Sequence, residues 1–183
     1  LSVEGSLKRL RRNRIDILQL HSPSRAEMEA YPDWHEGMNQ LKVQGKIRLG
    51  GVAIQTVDDA LWLFKEGLVD VLQITYNIFE TEAERLFPVA EKAGVGLLCR
   101  MPLARGVLTG KFAANQDDLG GHRAALDGDT ALERIRLVDD LRPLGDAYDG
   151  GMTRLAHHYS LTPPAISAII PGARTPAQLQ ENV

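Results

Sequence analysis

Five short apolar runs recur along this chain, each pair separated by enough residues for at least one helix, and that rhythm limits the folds open to it. The first is Ile15-Asp16-Ile17-Leu18-Gln19-Leu20-His21, followed by Ile47 to Ala53, Val69 to Tyr76, Val95 to Met101 and Ala165 to Ile170. Runs of this length that stop abruptly on turn or polar residues read as parallel strands buried on both faces. The intervening segments carry helical stripes. Ser2 to Arg12 brings Val3, Leu7 and Leu10 to one side, and Glu27 to Gln44 does the same with Trp34, Met38 and Leu41 before Gly45. Thr56 to Glu66, Glu82 to Lys92, Ala131 to Asp146, Met152 to Tyr159 and the segment from Pro176 onward are the other expected helices.

Strands alternating with helices predict an α/β chain with a parallel sheet, and right-handed crossovers leave a doubly wound sheet or a β/α barrel. No Gly-x-Gly-x-x-Gly follows any of the runs, which disfavours a dinucleotide-binding Rossmann unit. The barrel accounts better for the polar character of every strand end. The rhythm breaks at Ala113 to Asp129, where Gly120-Gly121 and Asp127-Gly128 mark turns; an insertion of this length after a strand reads as a lid or belt rather than a linker.

At 183 residues, with 44% hydrophobic and 25% charged residues, the chain has the composition of one globular domain rather than of a disordered segment. A net charge of -3 offers no broad footprint for nucleic acid, and the local cluster Lys8, Arg9, Arg11, Arg12 and Arg14 reads as a solvated helix face. Cys99 is the single cysteine, so an internal disulfide and a zinc-ligand spacing are both excluded; a reducing, cytoplasmic setting is the expectation. No apolar stretch is long enough for a membrane span. The chain opens within a helical pattern, with Ser2 as its cap, and stops within another at Leu179 to Val183, so the expected architecture extends beyond it.

In a barrel the strand ends converge on one rim, where active sites are built. Here they are His21, Ala53-Ile54-Gln55, Tyr76-Asn77, Arg100-Met101-Pro102 and Pro171-Gly172-Ala173-Arg174. A histidine at such a mouth polarises a carbonyl or moves a proton, or simply bonds backbone at a loop entry; spacing alone does not separate these. Gly172-Ala173-Arg174-Thr175-Pro176 combines small residues, a cation and a helix start, which suits a phosphate and equally suits a plain turn. Arg105-Gly106 with Gly110-Lys111 poses the same choice between a phosphate loop and a solvated turn.

At these residues the sequence resembles the aldo-keto reductase family over nearly its whole length. The resemblance is carried by Ser6 to Leu10 leading to Ile15 to His21, by Gly45-Lys46-Ile47-Arg48 leading to Gly51-Val52, and by Gln73 with Tyr76-Asn77. It continues through Pro102-Leu103-Ala104-Arg105-Gly106-Val107-Leu108-Thr109-Gly110-Lys111-Phe112 and Ile170-Pro171-Gly172-Ala173-Arg174 with Glu181-Asn182. The resemblance implies a (β/α)8 TIM barrel of which residues 1–183 are the carboxyl-terminal part, five βα units with three amino-terminal units absent. It also implies reduction of an aldehyde or ketone by NADP(H), with NAD(H) as the other candidate, and no metal. His21 matches the catalytic histidine that orients the carbonyl, and Gln73 the glutamine that bonds the nicotinamide carboxamide. Arg100, Pro102, Leu103, Arg105, Gly106, Gly172, Ala173, Arg174, Gln178, Glu181 and Asn182 match cofactor-binding positions, the last two at the adenine.

The departures from the family pattern are as informative. The family's catalytic aspartate, tyrosine and lysine come from earlier segments, and Tyr31, Tyr76, Tyr148 and Tyr159 lie outside the matching motif. Ala53-Ile54 stands where most members have a serine-asparagine pair, Arg100 where many stack a tyrosine on the nicotinamide, and Gln178 where many place an arginine on the 2'-phosphate. The expectation is therefore a reductase when complete and an inactive fragment as this chain alone. Its open edges should drive self-association or require the missing half. The alternative is a non-catalytic half-barrel that binds a nucleotide or a protein partner. The small-molecule carbonyl substrate is not specified by these residues.

Overall fold

The computed structural model describes residues 3–112 and 128–182. Its elements run α1 (Val3–Leu10), β1 (Ile15–His21), α2 (Arg25–Ala30), α3 (Asp33–Val43), β2 (Ile47–Ala53), α4 (Val57–Glu66) and β3 (Val71–Thr75). A 3-10 turn (Glu82–Leu86) and α5 (Phe87–Ala93) lead to β4 (Gly96–Arg100). A second 3-10 turn (Ala104–Thr109), α6 (Gly128–Ala147), α7 (Gly151–Leu161), β5 (Ile166–Ile170) and α8 (Pro176–Glu181) complete the order. The five strands are parallel and lie in one sheet in the order β1-β2-β3-β4-β5, as the alternation of runs and stripes implies. Ser2 and residues 113–127 of the expected insertion lie outside the described residues; residues 128 and 129 already belong to α6.

Two local expectations are corrected. The stretch Glu27 to Gln44 is two helices, because Pro32 lacks the N–H that a continuing helix needs and instead stands as the first cap of α3. Upstream, Ser24 and Glu27 form a capping box that fixes the start of α2: the Ser24 N–H donates to Glu27 Oε2 at 2.8 Å, and the Glu27 N–H to Ser24 Oγ at 3.2 Å. The Ser24 N–H and, second, the Ser24 hydroxyl, which donates to Glu27 Oε2 at 2.8 Å, hold the Glu27 carboxyl below its ordinary pKa. Glu82 to Lys92, expected as one helix, begins as the 3-10 turn and becomes α-helical only from Phe87, with Pro88 in the first turn of α5.

Contacts divide the chain into two compact units, residues 1–74 with 83–98, and residues 75–82 with 99–183. In the first, Ile47, Leu63, Leu72, Leu86 and Leu97 are almost completely removed from water. Each such side chain contributes about 1.5–3 kcal/mol to burial. Helix α4 is held in place by a Thr56 cap at one end and Gly67, in the left-handed conformation (φ 64°), at the other. Gly51 has a different reason to be glycine: a Cβ there would collide with the Val71 carbonyl across β2 and β3. Asp70 accepts from the Gly50 N–H (2.8 Å) and from Lys42 Nζ (2.9 Å), tying α3 to β2.

The second unit has its own core. Ala104, Val107, Leu108, Phe112, Ile135, Val138, Met152 and Ala156 pack together, with Ile78 and Phe79 against them. The apolar residues of the 102–112 segment therefore belong inside, while Arg105 and Lys111 stay exposed. Arg142 adds a polar seal, donating to the Gly110 and Phe112 carbonyls at 2.7 and 2.9 Å. Cys99 is fully buried, and burial pushes its thiol pKa up to about 11.

Candidate active site

Strand register, rather than side-chain bonding, places the first group. His21 is the last residue of β1 and pairs with Ala53 of β2, which in turn pairs with Gln73 of β3. Residues in one register row of a parallel sheet share a face, so His21 and Gln73 present their side chains on the same side. Two strand spacings separate them, about 10 Å, and the small side chain between them is Ala53. His21 is exposed and Gln73 half-buried. The chain turns sharply after the histidine, since Ser22 adopts φ 53°, and the Ser22 carbonyl accepts from Gln55 Nε2 at 3.2 Å. An imidazole and a carboxamide at this row are both groups that can bond a carbonyl or carboxamide oxygen.

Leu20, on the opposite face of β1 from His21, lines a cavity of about 220 Å³ with Pro23, Glu27, Met28, Tyr31 and Trp34. Tyr31 is thus associated with the other side of the strand. It does not complete a histidine-tyrosine pair with His21.

The second group is the loop after β4. Arg100 closes that strand, and its Nε donates to Thr75 Oγ1 at 2.9 Å, which fixes the guanidinium beside the end of β3. Beyond it the backbone is strained: Met101 (φ 57°), Ala104 (φ 46°) and Arg105 (φ 58°) are all left-handed without being glycine, and Gly106 follows at φ 93°. Each such non-glycine residue costs about 1–2 kcal/mol, so the surrounding packing and bonds must hold the loop there. Pro102 and Ala104 are buried while Arg105 projects outward. By its letters this stretch is a phosphate loop or a plain turn; left-handed residues so close together are not visible in Met-Pro-Leu-Ala-Arg.

Asn77 stands at a strand end in the sequence, with no role that its letters reveal. It is completely buried, its Nδ2 donates to the Met101 carbonyl (3.1 Å) and to Glu80 Oε2 (2.7 Å), and its Oδ1 accepts from the Phe79 and Glu80 N–H groups. The one signal for it is an asparagine directly after a strand with a carboxylate three residues on, the pattern of a side-chain-closed turn.

The third group spans Gly172 to Asn182, where Gly172, Ala173 and Arg174 are exposed and Thr175 caps α8. Its polar side chains are organised among themselves. Gln178 Oε1 accepts from the Arg174 N–H at 2.7 Å, and Asn182 Nδ2 donates to the Gly172 carbonyl at 3.4 Å. Glu181 Oε1 accepts from Thr153 Oγ1 of α7 at 2.9 Å. One turn further along α7, His157 is buried with no partner for Nε2. Burial depresses its pKa, the neighbouring His158 adds to that, and Glu181 opposes it.

The named positions therefore fall into three local groups, of which His21 and Gln73 belong to the first unit and the rest to the second. Among the described residues no cluster of three or more histidine, cysteine, aspartate or glutamate side chains is arranged to hold a metal. Among the same residues no helix is long and apolar enough to cross a membrane.

Comparison with known proteins places the chain in a family. The family model for the aldo/keto reductase family matches residues 1–183. An aldo-keto reductase of Bacillus subtilis is 31% identical, aligned over 97% of this chain and 55% of its own length. An NADH-specific methylglyoxal reductase of Escherichia coli is 30% identical over 99% of this chain and 57% of its own. Among solved structures, a glycerol dehydrogenase from Gluconobacter oxydans superposes with a TM-score of 0.79 at 27% identity, covering 98% of this chain and 55% of that one. The chain thus spans little more than half the length of these relatives.

Proposed function

This chain belongs to the aldo/keto reductase family, and from that premise we propose that the complete protein reduces an aldehyde or ketone to an alcohol with a nicotinamide cofactor. On this reading residues 1–183 supply five βα units of a (β/α)8 barrel, and the remaining catalytic groups come from segments outside it. The observation that carries the proposal is the row His21–Ala53–Gln73, which puts an imidazole and a carboxamide on one face at the strand ends.

When bound, the dihydronicotinamide supplies hydride to the carbonyl carbon. His21 bonds the carbonyl oxygen, orienting it and stabilising the negative charge that develops there. Gln73 would bond the nicotinamide carboxamide and hold the cofactor's reactive end in place. Arg100 would hold the nicotinamide end, and Pro102, Leu103, Arg105 and Gly106 would contact the phosphates. Gly172, Ala173, Arg174 and Gln178 would take the adenosine phosphate end, and Glu181 and Asn182 the adenine. The residues present fit such a group, because the Gly172–Arg174 turn is exposed and offers the Arg174 guanidinium to a phosphate.

Both dinucleotides stay within the proposal. The Arg174 guanidinium favours a 2'-phosphate and hence NADP(H), whereas the neutral Gln178 suits a 2'-hydroxyl, and the Escherichia coli relative is NADH-specific. We place the protein in the cytoplasm on the same reading, with a small-molecule carbonyl as its substrate.

The experiment is turnover. Carbonyl-dependent oxidation of NADPH or NADH by the complete protein should fall about 10²–10³-fold in His21→Ala with KM for the cofactor little changed. The isolated chain should be inactive and should regain activity when combined with an amino-terminal segment that carries the proton-donating tyrosine. Turnover by the isolated chain, lost in His21→Ala, would contradict the inactive-fragment reading.

A further inference from the structure

We propose that Asn77 is a positioning residue that sets the backbone of the 101–106 loop against the cofactor, an inference that rests on the reading that this loop touches the dinucleotide. The geometry fixes its amide without ambiguity. Oδ1 faces two N–H groups, those of Phe79 (3.0 Å) and Glu80 (3.1 Å), while Nδ2 faces a carboxylate oxygen and a carbonyl oxygen. Exchanging the amide's two ends would turn all of these contacts into mismatches.

The consequence lies at Met101. Its carbonyl accepts both from Asn77 Nδ2 and from the Ala104 N–H at 2.9 Å, and its φ of 57° starts the left-handed series that ends at Gly106. Asn77 therefore holds the first strained peptide of the loop from a site with no access to water. A buried amide keeps such bonds because no solvent replaces them.

Asn77 is itself anchored at a distance. Glu80 Oε1 pairs with Arg134 of α6 at 3.6 Å, and the Arg134 guanidinium lies 5.4 Å over the Phe79 ring. The connection runs from α6 through Arg134 and Glu80 to Asn77, and from Asn77 to the loop. All of these residues lie in the second unit.

The test separates holding the turn from holding the loop. Asn77→Asp keeps the acceptors for Phe79 and Glu80 but sets a carboxylate against Glu80 and the Met101 carbonyl. Combining it with Glu80→Gln lets the carboxylate at position 77 accept from the amide at position 80, which restores the turn and leaves Met101 unheld. Fluorescence titration with NADPH and with NADH is read beside thermal melting and backbone hydrogen exchange over residues 101–108, using the full chain.

Asn77→Asp should weaken cofactor binding about tenfold or more and speed exchange in 101–108. The double variant should recover its melting temperature but neither affinity nor exchange protection. Recovery of all three would make Asn77 a turn residue only and overturn the proposal, as would unchanged affinity in Asn77→Asp. If the folded wild-type chain binds neither dinucleotide, the cofactor reading falls, and exchange then decides the clamp separately: unchanged exchange in Asn77→Asp overturns it. Should Asn77→Asp fail to fold, the double variant alone decides the matter through the same affinity and exchange measurements.

Discussion

The His21–Ala53–Gln73 row and the Met101–Gly106 loop are both proposed to face the cofactor, yet they are held in opposite ways. The row is fixed by the backbone ladder of three strands, and of its side chains only Ala53 is buried in the core while His21 stands exposed. The loop is fixed by side chains, Asn77 above all, working against unfavourable backbone torsions. The difference teaches where function and stability separate: substitution of exposed His21 should change chemistry alone, and substitution around the loop should change both.

The sharpest way to break the row is through the ladder rather than the side chains. Gly51→Ala pushes a methyl group into the Val71 carbonyl two residues before the Ala53–Gln73 pair. It should destabilise the protein by about 1–3 kcal/mol and misalign Gln73, measured as a fall in denaturation midpoint together with weakened cofactor binding. The loop answers to a smaller change. Gly106→Ala places a side chain at φ 93° and should cost about 1 kcal/mol in chemical denaturation, with a parallel loss of cofactor affinity.

The sequence shows these two regions unequally, for a physical reason. Buried parallel strands are continuous apolar runs, so Ile15 to His21 can be read with its polar terminus, and register then follows from pairing of neighbours. Three non-glycine left-handed residues within one short loop have no such signature, because Met101, Ala104 and Arg105 are residue types that usually avoid that region. Pro32 is visible as a letter, but the stripe of Trp34, Met38 and Leu41 suggests one helix across it. Asn77 belongs to a strand-end pair that any reader can see, and only burial and distances show what it holds.

A smaller effect concerns α7, which contacts the proposed adenine end through Thr153 and Glu181. His157 has a folded-state pKa below its ordinary 6.5, so the unfolded chain takes up the proton first as the pH falls through 6.5. Stability contributed by neutral His157 is present above that value and is lost on acidification. His158 on the same helix, whose charge opposes protonation, and Glu181, which favours it, bracket the effect. The melting temperature should therefore decline on acidification, and His157→Leu should flatten that part of the profile. The smallest expected signal is chemical: Cys99, fully buried with its thiol pKa at about 11, should resist alkylation at neutral pH until the protein is unfolded.

The most direct test is a fluorescence titration of the folded chain with NADPH and NADH, wild type against Arg174→Ala. Arg174 sits outside both regions compared above, on an exposed turn whose loss should leave the fold intact. Saturable quenching by the wild-type chain that Arg174→Ala abolishes or strongly weakens is the expected result. A folded wild-type chain with no saturable signal for either dinucleotide would contradict the cofactor site and favour a half-barrel that binds a protein partner.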